Sequence, residues 1–171
     1  MMDGSTHAGP TPGPSPAGDP AGFVDQFAQG WALPKPDAFF EYFAALIAPD
    51  AAFRQPLFPT AVGPEGFTRT FRPLFQLIPD LVANVQRWAA REEVVFIEST
   101  FVGTLDRTPL EFDVCDRFVL RHGIIAERTS YSDPTAIFAT ISRHPTTWPR
   151  AVRHLLAVQV RHLGARQRPS D

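Results

Sequence analysis

Between residues 94 and 133 apolar and polar positions alternate in three successive runs. Val94 to Thr104, Leu110 to Leu120 and Ile124 to Asp133 are rich in β-branched and aromatic residues. Turn signals follow them at Asp106-Arg107-Thr108-Pro109, Arg121-His122-Gly123 and Asp133-Pro134. The spacing predicts an antiparallel meander. In the middle run Phe112, Val114, Phe118 and Leu120 share one face, and the residue on that face between Val114 and Phe118 is Asp116. A register one residue out would turn Glu111, Asp113, Cys115 and Arg117 inward, a face too polar for a core. Asp116 is therefore expected inside, where an uncompensated carboxylate is costly. It is either a structural acid held by a core arginine or a cavity group that moves protons, and the alternation leaves both open.

Upstream the periodicity changes to that of helices. Phe23, Phe27 and Trp31 recur at i, i+4 and i+8 and predict a helix over 21–32 that stops at Leu33-Pro34. A second helix follows Pro36-Asp37 with Phe39, Phe40, Phe43, Leu46 and Ile47 inward, and ends before Pro49-Asp50. Residues 51–58 read as a short strand carrying Phe53, Arg54, Gln55 and Leu57, with Pro56 marking an edge or bulge, and 59–63 as loop. A third helix runs from about Pro64 through Phe67, Phe71, Leu74, Phe75 and Leu77 to Ile78, and Pro73 within it predicts a kink. Leu81 to Ala89 is the next strand, and Arg91-Glu92-Glu93 turns into the meander.

The ends read differently. Residues 1–20 carry five prolines and, after the two initial Met, no aliphatic side chain larger than Ala, so a disordered tail is expected there. After Pro134 a short helical segment, 135–141, closes a domain spanning 21–142. An amphipathic C-terminal helix lies within 143–163, with Val152, Leu155, Leu156, Val160 and Leu163 on its apolar side. Diluted by Ala and Gln, that helix suits packing on its own domain or in a dimer better than a membrane surface. Residues 164–171 form a polar tail. Helices followed by consecutive strands make an α+β domain with a curved sheet wrapped on a long helix.

Composition narrows the function classes. The 171 residues are 44% hydrophobic with 15 Phe, ample for a core with a roomy apolar interior. A net charge of −2 gives no field that would gather nucleic acid. The single cysteine, Cys115, excludes an intramolecular disulfide and a Cys-based zinc site, and its place on the outer face of the strand marks a packed residue rather than a nucleophile. No apolar run is long enough to span a membrane and no secretory leader is visible, so the expectation is a soluble, cytoplasmic protein.

The run Asp116-Arg-Phe-Val-Leu-Arg-His-Gly-Ile-Ile-Ala-Glu-Arg-Thr-Ser-Tyr-Ser-Asp-Pro134 resembles the terminal hairpin of the nuclear transport factor 2-like (NTF2-like) superfamily in its SnoaL-like, polyketide-cyclase-like branch. The Ala48-Pro-Asp-Ala-Ala-Phe53 approach to the first strand and the helical order agree, and the resemblance covers about residues 21–142. It implies a cone-shaped, curved antiparallel sheet wrapped around helices, a cystatin-like roll that encloses an apolar pocket. It further implies a homodimer formed through the sheet, a small hydrophobic ligand and chemistry that needs no cofactor.

The family's site residues carry over one by one. Asp116 falls where ketosteroid isomerases carry the protonated Asp of their oxyanion hole. Their general base corresponds to Gln55, which cannot take a proton, and their tyrosine to Phe27 or Trp31. The Arg, Asp and second Asp of limonene-epoxide hydrolases correspond to Ser99, Phe101 and Ser130, and the catalytic Asp of polyketide cyclases also to Ser130. In the family register Asp116, Ser99, Arg128, Ser130 and Ser132 face inward, and Arg128 stands within ion-pairing reach of Asp116 across the hairpin. Such a pair makes the acid an acceptor or base, the opposite of an oxyanion donor.

The expected catalytic set is Asp116, Arg128 and Ser130. The expected ligand-binding set is Phe27, Trp31, Phe43, Gln55, Ser99, Phe101, Phe112, Val114 and Ser132. Tyr131 and Asp133 are expected outward or at the strand end, and His122 in a turn. Two classes stay open. One is a cofactor-independent acid/base enzyme of cyclase, isomerase, dehydratase or hydrolase type acting on a hydrophobic carbonyl-bearing substrate. The other is a non-catalytic ligand-binding or dimerisation module.

Overall fold

The computed structural model describes residues 19–56, 58–133, 135 and 139. In chain order these form α1 (Pro20–Ala32), α2 (Asp37–Ala44), β1 (Ile47–Gln55), β2 (Phe58–Val62), α3 (Gly63–Leu77), β3 (Val82–Arg91), β4 (Val94–Leu105), β5 (Thr108–Arg121) and β6 (Ile124–Ser132). The predicted segment 135–141 and the C-terminal helix lie outside the described residues, save for 135 and 139, as do the polar tail and nearly all of the N-terminal tail.

Local chemistry sets the helix ends. The Asp19 carboxylate accepts from the backbone N–H groups of Ala21 and Gly22, and Pro20 occupies the first turn, where its missing N–H costs nothing. Leu33, extended ahead of Pro34, stops α1. α2 is shorter than its apolar stripe predicts. It ends at Ala44, leaving Leu46 in the turn and Ile47 in β1, because the sheet claims this backbone: the N–H of Ile125 donates to the Leu46 carbonyl at 2.7 Å. α3 continues as one helix through Pro73. At its start Gly63 has φ +65°, and a Cβ there would sit 2.5 Å from the Pro49 carbonyl oxygen.

The predicted strand over 51–58 divides in two. β1 runs to Gln55, Pro56 lies in the turn, and β2 returns antiparallel over residues expected as loop, with Phe53 opposite Ala61. Pro56 thus marks a reversal rather than a bulge within one strand.

The sheet order is β2-β1-β6-β5-β4-β3. From β3 to β6 it is the antiparallel meander that the alternation predicts. Two-residue turns at Asp106-Arg107 (φ 48° and 68°) and His122-Gly123 (φ 55° and 80°) have both φ values positive, which matches the twist of the flanking strands. A wholly antiparallel sheet is not what forms, because β1 joins β6 in parallel, with Phe53 opposite Arg128. A hairpin cannot make that pairing. It rests on the long connection through β2, α3 and the meander. Register shifts along β1 and β3, and one at Ala126 of β6 where it pairs with β5, help curve the sheet around the helices.

The core between sheet and helices is aromatic. Trp31 of α1 meets Phe39 of α2 at 4.9 Å and Phe101 of β4 at 4.8 Å, both edge to face. Phe67, Phe71 and Phe75 extend the cluster along α3. Gly30 allows the close crossing of α1 and α2, since a Cβ there would lie 2.5 Å from the Phe43 ring. Among the described residues no helix is long and apolar enough to cross a membrane.

Candidate functional site

The predicted phase of β5 holds: Leu110, Val114, Asp116, Phe118 and Leu120 are buried, while Glu111 and Asp113 are exposed. Asp116 is 2% exposed. Three other polar side chains are buried with it: Ser99 at 2%, Arg128 at 4% and Ser130 at 7%. All four belong to the inner face. Asp116 lies opposite Ile97 of β4 and Ser130 of β6, Ser99 opposite Val114, and Arg128 opposite Phe118. Because β1 runs beside β6, Phe53 and Gln55 stand next to Arg128 from the other side.

Arg128 organises the group. Its Nη2 donates to Asp116 Oδ2 at 2.9 Å and, more weakly, to Ser130 Oγ at 3.5 Å, while Nη1 reaches Gln55 Oε1 at 3.5 Å. Its guanidinium carbon lies 5.2 Å from the centre of the Phe71 ring, so the cation rests on an aromatic from α3. Neighbouring strands and a helix thus fix one side chain. Among the described residues, three buried side-chain polar atoms have no protein partner: Asp116 Oδ1, Arg128 Nε and Ser99 Oγ. Each would cost about 1–3 kcal/mol if nothing met it, so the arrangement calls for water or a ligand atom there.

Beside Arg128 is a cavity lined by Phe27, Trp31, Phe43, Phe53, Phe67, Phe71, Phe118 and Ile125. The space between these side chains is about 260 Å³ counted with its solvent-facing part, but only about 10 Å³ of it is wide enough for a water-sized sphere. The smaller figure decides what fits as the chain stands, which is about one water. Arg128 is the polar member of the lining.

Of the expected site residues, Asp116, Arg128, Ser130 and Gln55 are joined by hydrogen bonds, and Phe27, Trp31 and Phe43 line the cavity with Arg128. Ser99, Phe101, Phe112, Val114 and Ser132 do not line it. Phe101 instead stacks with Phe112 at 5.4 Å. The lining also takes in Phe53, Phe67, Phe71, Phe118 and Ile125, which sequence reasoning assigned to core or left aside. The stripe Phe67-Phe71 on the third helix was the available signal.

Two nearby groups have shifted acidities. Burial lowers the pKa of Lys35, whose Nζ donates to the carbonyls of Trp31 and Leu33 and lies 5.6 Å from the Trp31 ring centre. On the outer face, burial and then the charges of Asp116 and Glu98 push the Cys115 thiol up. Among the described residues no cluster of three or more His, Cys, Asp or Glu side chains is placed to hold a metal.

The sequence profile of the SnoaL-like domain matches residues 24–128. Solved structures share the fold at low identity. A candidate SnoaL-like polyketide cyclase from Jannaschia sp. CCS1 is 17% identical with a TM-score of 0.66, the match covering 78% of this chain and 98% of that one. IdmH, a candidate polyketide cyclase from Streptomyces antibioticus, is 21% identical with a TM-score of 0.59, covering 72% and 98%. An LEH-like epoxide hydrolase from M. tuberculosis is 18% identical with a TM-score of 0.57, covering 74% and 91%. No curated protein matches the sequence.

Proposed function

The chain belongs to the SnoaL-like domain family, and from that premise we propose that it is a small-molecule pocket protein, with the Arg128–Asp116 pair as the polar pole of a site for a hydrophobic, carbonyl-bearing ligand. The observation that carries this reading is the buried 2.9 Å ion pair beside an aromatic cavity, with an N–H and a carboxylate oxygen left over. Packing alone does not require a charged pair there, since apolar residues of similar volume serve a core as well or better. Recognition of a ligand oxygen gives such a pair a use.

A second reading, catalysis, is favoured by the free Asp116 Oδ1. In it that oxygen takes a proton from the carbon next to the ligand's carbonyl, the electron pair moves onto the carbonyl oxygen, and Arg128 stabilises the charge while Ser130 orients the group. The pairing of Asp116 with Arg128 suits a base and opposes an oxyanion-hole acid. Binding and turnover of polycyclic ketones and epoxides, compared between wild type and Asp116→Asn, separate the readings. Binding without turnover supports the first, turnover abolished by the substitution supports the second, and equal turnover removes Asp116 from any catalytic role.

The same reading includes a homodimer through the outer face of the sheet, where Phe96 and Tyr131 stand 42% and 56% exposed. Sedimentation of the full chain as a monomer at micromolar concentration would refute it.

A further inference from the structure

We propose that Arg128 reads an oxygen acceptor on an uncharged ligand through its free Nε–H, and that the Asp116 carboxylate beside it turns away ligands that carry a carboxylate of their own. This rests on the pocket reading above and adds to it the residue and the charge rule that set specificity.

The donor is already positioned. Nη2 is held by Asp116 and Ser130, Nη1 by Gln55, and the cation lies against Phe71, so the orientation of the guanidinium is determined before any ligand arrives. Nε is buried and has no protein partner. The space at Arg128 accepts about one water, an occupant that supplies an oxygen acceptor. A carbonyl or ether oxygen occupies the same position when a ligand enters. Its apolar body takes the place of ring edges at Phe27, Phe43 and Phe71, which non-directional edge and dispersion contacts hold.

Charge then selects. Arg128 and Asp116 together are neutral, and the rest of the cavity lining is apolar. A ketone leaves the buried charge at zero. A carboxylate leaves it at minus one, without a second cation from the lining.

The test is a ligand-observed NMR titration of the full chain with three probes on one skeleton: 1-indanone, indane and indane-1-carboxylate. The expected result is 1-indanone binding ~10-fold or more tighter than indane, the worth of one hydrogen bond from a charged donor, and also tighter than the carboxylate. In a folded variant combining Arg128→Met with Asp116→Leu, the preference for ketone over indane falls to about one. Equal wild-type binding of ketone and indane, or an unchanged ratio in the double variant, overturns the proposal together with the role of the pair as polar pole and leaves only an apolar pocket. Tightest binding of the carboxylate overturns the proposal and leaves the pocket reading standing. Failure of all three probes to bind overturns both. The wild-type series decides the matter even where the double variant does not fold.

Discussion

Arg128 and Asp116 meet on the diagonal. The residue opposite Arg128 across the β5–β6 ladder is Phe118, yet its Nη2 passes back along the strand to reach Asp116 Oδ2 at 2.9 Å. That leaves Ser130, the residue opposite Asp116, with a long contact to the same guanidinium. One cation therefore serves the carboxylate, the serine and, across the parallel pairing, Gln55.

Stability should depend on the pair as a unit. Arg128→Met alone leaves a buried carboxylate without its cation and should cost about 3–5 kcal/mol, whereas Arg128→Met with Asp116→Leu should stay within about 1–2 kcal/mol of wild type. Urea unfolding of the two variants measures this. A double variant no more stable than the single one would show that the residues are not coupled.

Lys35 should make stability rise with alkaline pH. Burial lowers its folded pKa below the ordinary 10.5, so between the two values the unfolded chain binds more protons than the folded one. Its contribution therefore improves as pH rises through the folded value and levels off above 10.5. Unfolding free energies of wild type minus those of Lys35→Met should increase over that window. A flat or falling difference contradicts the assignment.

The Cys115 thiol, held up by burial and by the charges of Asp116 and Glu98, should react slowly while the chain is folded. At about pH 7.5 an aromatic disulfide reagent should modify native protein ~10-fold more slowly than denatured protein, and Glu98→Gln should recover part of the rate. A native rate equal to the denatured one rules out this picture of its surroundings.

At the β4–β5 turn Arg107 adopts φ 68° without being glycine. Arg107→Gly removes a side chain strained there and adds some unfolded-state freedom. The net stabilisation should be about 0.5–1 kcal/mol, read as a higher thermal midpoint. A lower midpoint would show that the arginine side chain contributes more than its backbone strain costs.

How much of this was legible follows the range of the interactions. The inward phase of β5, and with it the burial of Asp116, came from alternation within one strand. The pairing with Arg128 was expected from the family resemblance and not from the turn: the two-residue turn alone would set Arg128 opposite Arg117 on the outer face, and the register shift beside Val119 brings it opposite Phe118 on the inner one. The early end of α2 was not legible, because apolar residues at helical spacing continue to Ile47 while the deciding hydrogen bond comes from Ile125, far along the chain. Nor was β2: Pro56 signals an irregularity without saying whether the chain bends or reverses.

The sequence by itself determined what neighbours in the chain decide: the helical stripes of α1 and α3, the strand phases, the two tight turns and the lone acid on an apolar face. These follow from steric preference and from the periods of 3.6 and 2, which act over a few residues, except in β6, where the register shift at Ala126 resets the phase that brings Arg128 inward. Only the tertiary structure decided the parallel seam of β1 with β6, Gln55 beside Arg128, and a cavity that the surrounding rings close to about 10 Å³. Those depend on distant segments arriving together and on how many side-chain volumes fill one space, a sum that no local pattern carries.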